Sequence, residues 1–217
     1  MVQFWLPLVQ SQKAIAVIRA ADLETGIAMA KAVAAGGMKL IEITWNSAEP
    51  VKLLYALHAE LPDCWIGAGT LLDLDQLQAA IAAGADFLFT PHTRLDLIQQ
   101  AVQQQVPIIP GALTPTEILT AWQAGASCVK VFPIQAVGGA DYIRHLQGPL
   151  GEIPLIPTGG VTLDNARSFI DAGAVAVGLA GQLFPQQALR NQDWDLIRER
   201  ASRLMQSLGG GGVRGEG

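Results

Sequence analysis

The sequence alternates short runs of β-branched and other apolar residues with longer stretches rich in Ala, Leu and Gln. Eight short runs are bounded by glycine or proline, at 14–20, 40–44, 65–70, 87–91, 106–111, 128–133, 154–159 and 174–181. Helical patterns lie between them, as at 24–35, 73–83, 114–124 and 164–172. This alternation is typical of βα units and a parallel sheet. Eight such units in a chain of this length predict an α/β fold, a small (β/α)8 TIM barrel.

A short repeat supports the count of eight units. Four helical stretches end in an Ala-Gly sequence shortly before a predicted strand, at 35–37, 83–85, 124–126 and 172–174. Glycine just past a helix supplies the left-handed cap. Helix starts are marked by Asp73, by Thr114 with Glu117 at capping-box spacing, and by Thr162.

The rival architecture is an open doubly wound sheet. Such a sheet normally has a glycine-rich dinucleotide turn after its first strand. The sequence Ala20-Ala21-Asp22 is not such a turn. We therefore expect one barrel domain over 1–208, followed by a flexible glycine-rich tail at 209–217.

Composition narrows the class of protein. The chain has 217 residues, half of them hydrophobic, and a formal net charge of −5. This charge argues against nucleic acid or an anionic membrane surface as a partner. Cys64 and Cys128 lie in apolar runs and indicate free thiols in a reducing, cytoplasmic compartment. The three histidines are scattered, without carboxylate or cysteine at metal-ligand spacing, so a metal is not expected. No dinucleotide turn or Walker loop is present, and no other cofactor is expected.

Two charged residues interrupt apolar strands. Side chains alternate along a strand, so Lys130 faces away from Val129 and Val131, towards the barrel interior. Glu42 is directed inward by the same argument. Burial disfavours an ammonium group, and a neutral amine is a nucleophile that forms imines. Two alternatives stay open: a lysine on an edge strand that reaches solvent, and a structural ion pair between the two residues.

Other polar groups follow the ends of the predicted strands, where a TIM barrel carries its active site. Arg19 ends the first strand, Thr70 the third and Thr158 the seventh, and His92 could line the same mouth. The loops after the last two strands contain Gly159-Gly160 and Ala180-Gly181. Loops at this place frequently bind phosphate through backbone N–H groups, although they could also be tight turns only.

Six ordered motifs together resemble one family, the KDPG/KHG aldolases, over nearly the whole chain before the glycine tail. KDPG is 2-keto-3-deoxy-6-phosphogluconate and KHG is 4-hydroxy-2-oxoglutarate. The motifs are Ala16-Val17-Ile18-Arg19-Ala20, Ile41-Glu42-Ile43-Thr44, Gly67-Ala68-Gly69-Thr70, Pro110-Gly111 with Thr114-Pro115-Thr116-Glu117, Val129-Lys130-Val131-Phe132-Pro133, and Pro157-Thr158-Gly159-Gly160-Val161.

The resemblance implies a class I aldolase, a lyase in which Lys130 forms a Schiff base and Glu42 transfers protons. It implies KDPG as substrate, cleaved to pyruvate and glyceraldehyde 3-phosphate, and KHG as a further substrate, cleaved to pyruvate and glyoxylate. It also implies a homotrimer. The implied substrate-binding residues are Arg19, Thr44, Asn46, Thr70, Pro91, Phe132 and Thr158, and the implied phosphate-binding residues are Gly159, Gly160, Ala180 and Gly181.

The sequence departs from the family at two places. Many members have arginine where Asn46 stands, and that arginine grips the substrate carboxylate. The related 2-keto-3-deoxy-6-phosphogalactonate (KDPGal) aldolases resemble this chain in having asparagine there. Where many members have glycine-serine, this chain has Ala180-Gly181, without the hydroxyl. KDPGal is therefore an alternative substrate. A phosphate-binding barrel isomerase or synthase and a non-catalytic binding barrel are alternatives of another class.

Overall fold

The computed structural model describes residues 2–209, with side chains from residue 4 onward. There are nine short strands in the described residues; eight lie within the predicted runs, and the sixth strand extends one residue beyond the fifth run. They are β1 (Ala14–Ile18), β2 (Leu40–Thr44), β3 (Trp65–Gly69), β4 (Leu88–Phe89), β5 (Ile108–Ile109), β6 (Gly111–Ala112), β7 (Val129–Val131), β8 (Leu155–Pro157) and β9 (Val177–Leu179). Most strands are shorter than the predicted runs, because the runs also included residues that precede or follow each strand.

All strand pairs are parallel. Six strands form one sheet in the order β5-β4-β3-β2-β1-β9, and three form a second sheet in the order β6-β7-β8. One isolated parallel bridge joins Thr158, after β8, to Gly178 of β9. β5 and β6 are separated only by Pro110, whose carbonyl accepts the Lys130 N–H at 2.9 Å. The α/β class and the parallel pairing are confirmed, whereas closure into a (β/α)8 barrel stays a prediction.

Ten α-helices alternate with these strands in the described residues. They are α1 (Val2–Gln12), α2 (Leu23–Ala35), α3 (Pro50–Glu60), α4 (Leu74–Ala82), α5 (Leu95–Gln103), α6 (Pro115–Gln123), α7 (Ala140–Leu150), α8 (Ala166–Asp171), α9 (Gln186–Asn191) and α10 (Trp194–Leu208). No helix in the described range 2–209 has the length and apolar character needed to cross a membrane.

Two of the three predicted helix starts are confirmed. Asp73 accepts the Gln76 N–H at 2.8 Å, and Thr114 forms a complete capping box with Glu117. At the third, α8 begins at Ala166 with Asn165 as its N-cap, and Thr162 Oγ1 accepts the Asn165 N–H at 3.1 Å. The four repeat glycines after helices, Gly37, Gly84, Gly125 and Gly173, have φ of +97°, +85°, +100° and +104°. Only glycine adopts this left-handed backbone without strain, so the repeat in the sequence is a repeat of helix ends.

Two apolar clusters stabilise the fold. The larger lies between strands and helices and contains outward-facing residues such as Ile41, Ile43, Val129 and Val131. The smaller lies on the opposite face of the strands. It contains Trp5, Val9, Ile15, Leu40, Phe87, Phe89, Ile109, Cys128, Ile156 and Ala176. The predicted alternation of side chains along the second and sixth runs is therefore confirmed, because Leu40 and Cys128 belong to one cluster while the next residues, Ile41 and Val129, belong to the other.

Helix α1 was not predicted from the sequence. Pro7 lies inside it, and proline normally disfavours a helix interior. The helix brings Trp5 onto the smaller cluster, where its ring lies 4.8 Å from that of Phe87. At the other end of the chain, Gly209 ends α10 with φ of +68°. The rest of the predicted tail, 210–217, lies outside the described residues.

Candidate active site

A cavity of about 410 Å³ lies at the carboxyl ends of the strands. Of the thirteen site residues predicted from the sequence, twelve line it. They are Arg19, Glu42, Thr44, Thr70, Pro91, Lys130, Phe132, Thr158, Gly159, Gly160, Ala180 and Gly181. The lining residues come from β1, β2, β7, β9 and the loops that follow the strands, so the tertiary structure brings together groups that are dispersed along the sequence. Asn46 is not among the lining residues.

Lys130 is the central residue of β7, which pairs with β6 on one side and β8 on the other. It is therefore not on an edge strand, and its side chain is only 6% exposed. Its Nζ lies 5.0 Å from the ring centroid of Phe132 and 5.7 Å from that of Phe89. Aromatic faces at such distances attract a cation. The open alternative of a solvent-reaching lysine is thereby excluded.

Glu42 lies at the centre of β2, paired with Val17 of β1 and Gly67 of β3. Its side chain is 1% exposed, and its buried Oε1 has no hydrogen-bond partner among the described residues. Burial raises the pKa of this carboxyl above its ordinary value, and the positive charges of Lys130 and Arg19 oppose part of the rise. No salt bridge joins Glu42 to Lys130, so the structural ion pair is not formed.

The glycines of β3 make room for this carboxylate. A Cβ atom on Gly69 would lie 1.8 Å from Glu42 Oε1, and one on Gly67 would lie 2.3 Å from the Phe87 ring. Both approaches are far inside van der Waals contact, so each position requires glycine. Sequence reasoning noted the glycine motif but not its purpose, because the partner of each glycine lies on a neighbouring strand.

The threonines of the site differ in their surroundings. Thr70 has φ of +59°, which is uncommon and strained for a β-branched residue. Thr44 is buried, and its hydroxyl lies 3.2 Å from that of Ser47. Thr158 is 9% exposed, and a side chain on Gly178 would collide with it. Thr70 and Thr158 have no side-chain hydrogen bond in the described part of the chain, so their hydroxyls are available to a ligand in the cavity.

Arg19 and Asn46 are in contact at the mouth of the cavity. The Arg19 Nε–H donates to Asn46 Oδ1 at 3.2 Å. Arg19 itself lines the cavity. Arg19 follows β1 and Asn46 follows β2, so their contact joins the ends of two paired strands.

The glycine-rich end of the cavity is formed by two loops. Gly159 and Gly160 have φ of +86° and +95°, and a Cβ on Gly160 would lie 2.3 Å from Gln135. Both glycines are therefore required for the turn, and both line the cavity. Gly181 differs, since a Cβ there would meet nothing within 4 Å. The missing serine hydroxyl of this loop leaves open space.

Five further residues line the cavity that sequence reasoning did not assign to the site: Val17, Val161, Thr162, Gly178 and Gln182. The alternation along β1 could have identified Val17, which lies two residues before Arg19. Thr162 was marked only as a helix start, and no sequence signal marked Gln182; both lie in loops.

His92 lines a neighbouring cavity of about 350 Å³, which shares Pro91 and Phe132 with the first but contains neither Lys130 nor Glu42. Burial lowers the pKa of His92, and the nearby Arg94 adds to this. Cys128 is fully buried, and burial raises the pKa of its thiol to about 12. Among residues 2–209 no cluster of His, Cys, Asp and Glu could hold a metal ion.

Known proteins share both the sequence pattern and the fold. A sequence model of KDPG and KHG aldolases matches residues 7–200. The chain belongs to the KDPG and KHG aldolase family. It is therefore an aldolase, a lyase.

Individual relatives agree with this family. A 2-dehydro-3-deoxy-phosphogluconate aldolase of Dickeya dadantii is 35% identical over 175 residues, which cover 81% of this chain and 82% of the relative. A crystal structure of KDPG aldolase from Legionella pneumophila, with pyruvate captured as a covalent carbinolamine, has a TM-score of 0.85 and 28% identity over 92% of this chain and 97% of that one. A native KDPGal structure has a TM-score of 0.82 and 31% identity over 89% and 93%.

Proposed function

We propose that the protein is a class I aldolase that cleaves KDPG to pyruvate and glyceraldehyde 3-phosphate through a Schiff base on Lys130. The observation that carries the proposal is a buried lysine and a buried, unpaired carboxyl that line one cavity without forming an ion pair. A structural role would satisfy both charges with each other. Groups left free at such energetic cost are typical of catalytic sites.

The reaction begins when the neutral Lys130 amine attacks the C2 ketone of the keto acid. The resulting carbinolamine loses water to give an iminium, which draws electrons from the neighbouring carbons. Loss of the proton from the C4 hydroxyl then breaks the C3–C4 bond, and its electron pair moves towards the iminium to give an enamine. The aldehyde leaves, the enamine is protonated at C3, and water releases pyruvate and the free amine.

Phe132 and Phe89 contribute to this cycle through their ring faces. Both lie within 6 Å of Nζ, and the iminium carries its positive charge on the same nitrogen. The rings therefore stabilise the cationic intermediate as they would an ammonium.

Glu42 is suited to move the protons. Carbinolamine dehydration needs an acid, and iminium hydrolysis needs a base. Burial raises the pKa of Glu42, and a carboxyl with a raised pKa can act as the acid in one step and as the base in the other. Its Oε1 has no hydrogen-bond partner among the described residues, so no other group of the described protein holds that oxygen.

Substrate choice follows from the two ends of the cavity. The glycine loops at Gly159-Gly160 and Ala180-Gly181 can offer backbone N–H groups to a phosphate. The hydroxyl that serine supplies in many family members is absent at Gly181. The backbone donors that remain favour a phosphorylated keto acid. We therefore propose KDPG as the main substrate, with KHG and KDPGal to be compared with it by kcat/KM.

The decisive test is trapping with cyanoborohydride in the presence of pyruvate, followed by peptide mass mapping. The adduct is expected on Lys130, and Lys130→Met should lose both the adduct and aldol cleavage, with a loss of kcat on the order of 10⁴-fold or more. Lys52→Met is a matched control, since Lys52 is an exposed lysine paired with Glu49 on the surface. Pyruvate without an adduct on Lys130 would refute the Schiff base.

Three further properties belong to the same proposal. The strands close as one (β/α)8 barrel over 1–208, supported by the bridge between Thr158 and Gly178. The protein is a homotrimer, which light scattering on the purified protein can test. A solved structure 31% identical to this chain is a designed cage of fused symmetric oligomeric domains, which supports an oligomer. The cytoplasmic location remains a prediction that the two free cysteines support.

A further inference from the structure

The cavity contains few groups that can bind an anion directly. Among its described lining residues only Arg19 and Lys130 carry a positive charge. Lys130 is committed to the imine. A keto-acid carboxylate in this cavity therefore has one cationic partner, Arg19.

The contact with Asn46 leaves the two Nη groups of Arg19 free. Nε donates to Asn46 Oδ1, and the Nη groups have no hydrogen bond or ion pair with the described residues. A guanidinium held through Nε still presents N–H donors that match the two oxygens of a carboxylate. The Arg19 charge also reaches the catalytic carboxyl, since it lowers the pKa of Glu42 against the effect of burial.

The loop that carries Asn46 is fixed to the strand that carries Arg19. The Ala20 N–H donates to the buried Ser47 Oγ at 3.1 Å, and Ser47 Oγ lies 3.2 Å from Thr44 Oγ1. The Ala48 N–H donates to the Ala20 carbonyl at 2.9 Å. These bonds adjoin both residues in sequence, so the distance between Arg19 and Asn46 is set by a buried frame.

We propose that Asn46 is a positioning residue that never touches the substrate, and that it holds Arg19 so that the guanidinium binds the keto-acid carboxylate. This inference rests on the proposed Schiff-base function. In family members with arginine at the position of Asn46, the residue after β2 binds the substrate carboxylate. Here Arg19, which follows β1, binds the carboxylate, and Asn46 holds Arg19 in place.

Arg19 also lines a small cavity of about 210 Å³ with Ala180 and Gly181, but its one side-chain hydrogen bond to a described residue holds it from the β2 side, which favours the carboxylate. Asn46 and the Ser47 frame lie after β2, the strand of Glu42 and Thr44. The glycine-rich loops lie after β8 and β9, on the other side of β1. A guanidinium held towards β2 is held towards the end of the cavity where the acid-base chemistry occurs.

The test compares pyruvate with methyl pyruvate, its neutral ester, as ligands for trapping on Lys130. Arg19→Ala should weaken the binding of pyruvate about 10- to 100-fold, the usual effect of losing a charged hydrogen-bonded partner, and leave the binding of methyl pyruvate unchanged. Asn46→Ala should weaken the binding of pyruvate by about 3- to 10-fold and also leave the binding of the ester unchanged. Arg167→Ala and Asn191→Ala are matched controls, since both residues are exposed and hydrogen-bonded within surface helices.

A double-mutant cycle separates positioning from a structural role. If Asn46 acts through Arg19, the double variant Arg19→Ala/Asn46→Ala should bind pyruvate no more weakly than the single variant Arg19→Ala does. Arg19→Lys provides a second variant that retains the charge, and adding Asn46→Ala to it should change little. Additive effects, or equal loss of pyruvate and methyl pyruvate in Asn46→Ala, would overturn the proposal.

A phosphate role for Arg19 has its own signature. In the synthetic direction, that role would make Arg19→Ala lose its preference for glyceraldehyde 3-phosphate over glyceraldehyde while pyruvate binding stays normal, which also overturns the proposal. Failure of the Schiff base itself is distinguishable, because the unmodified protein would then give no pyruvate adduct on Lys130.

Discussion

Leu40 and Glu42 lie two residues apart on β2, and Cys128 and Lys130 are spaced in the same way at β7, yet their surroundings differ sharply. Leu40 and Cys128 belong to the apolar cluster that α1 covers with Trp5. Glu42 and Lys130 line the cavity at the carboxyl ends of the strands. Two residues along the same face of a strand therefore separate a layer that stabilises the fold from the layer to which we assign the chemistry.

The two layers also differ in how many buried polar groups they contain. The lower layer, the apolar cluster of Leu40, Cys128 and Trp5, is almost wholly apolar, and its one unpartnered polar atom among the described residues is Trp5 Nε1. In the upper layer Glu42 is buried with an unpartnered oxygen, and Thr70 has a strained backbone. Stability contributed by the lower layer offsets these costs, so the fold tolerates an unsatisfied layer at the cavity.

The largest expected difference between the layers is in turnover. Glu42→Gln keeps the volume of the side chain but cannot exchange a proton. We expect kcat to fall about 10²- to 10⁴-fold, while circular dichroism shows an unchanged fold. Leu40→Ile, in the lower layer of the same strand, is the matched control and should keep kcat close to that of the unmodified enzyme. Near-normal turnover in Glu42→Gln would remove this residue from the mechanism.

The opposite effect is expected for the lower layer. Trp5→Ala removes the aromatic contact with Phe87 and should lower the free energy of unfolding by about 3 to 5 kcal/mol, measured by urea denaturation. The kcat per folded molecule should stay within about twofold at low temperature. Phe4→Ala is the control, because Phe4 is 70% exposed on the same helix. A stable variant with low kcat would mean that α1 supports the site directly.

Gly69→Ala tests the boundary between the layers. The added methyl group would overlap Glu42 Oε1, so the carboxyl must move. A misplacement of this kind should reduce kcat by about 10²-fold. Gly84→Ala is a control for glycine removal without such a collision, because its Cβ would meet nothing within 4 Å; it should affect stability and not kcat. Equal kcat in the two variants would contradict the assigned role of Gly69.

The smallest expected effect concerns stability against pH. Burial raises the pKa of Glu42 in the folded state above the ordinary value of 4.5, so the folded protein binds this proton more tightly than the unfolded chain. The contribution is fully present below about pH 4.5 and is lost as the pH rises through the folded pKa. Glu42→Gln has no such loss. It should be more stable than the unmodified protein by about 0.5 to 2 kcal/mol at neutral pH.

The pH series is the measurement for this prediction. Urea unfolding of both proteins should show a stability gap that narrows towards pH 4, because other titrating groups are common to both and cancel. A gap that is constant with pH, or a Glu42→Gln variant less stable at neutral pH, would show that the ionised carboxylate is satisfied in the folded protein.

The sequence by itself determined the βα alternation, the helix caps and the inward direction of Lys130 and Glu42. These follow from local rules: a period of two in strands, glycine after helices, and capping residues before them. Helix α1 was missed because Pro7 obscures its pattern, and because its purpose depends on Phe87, which is remote in sequence.

Only the tertiary structure decided how the site is assembled. Gly69 is required by a carboxylate on another strand, Glu42 and Lys130 are not paired, and Asn46 contacts Arg19 without lining the cavity. Each of these facts depends on the distance between atoms of different strands. Local sequence fixes which way a side chain points along its own strand, but parallel strands are paired through residues far apart in the chain, so their mutual distances are set by packing alone.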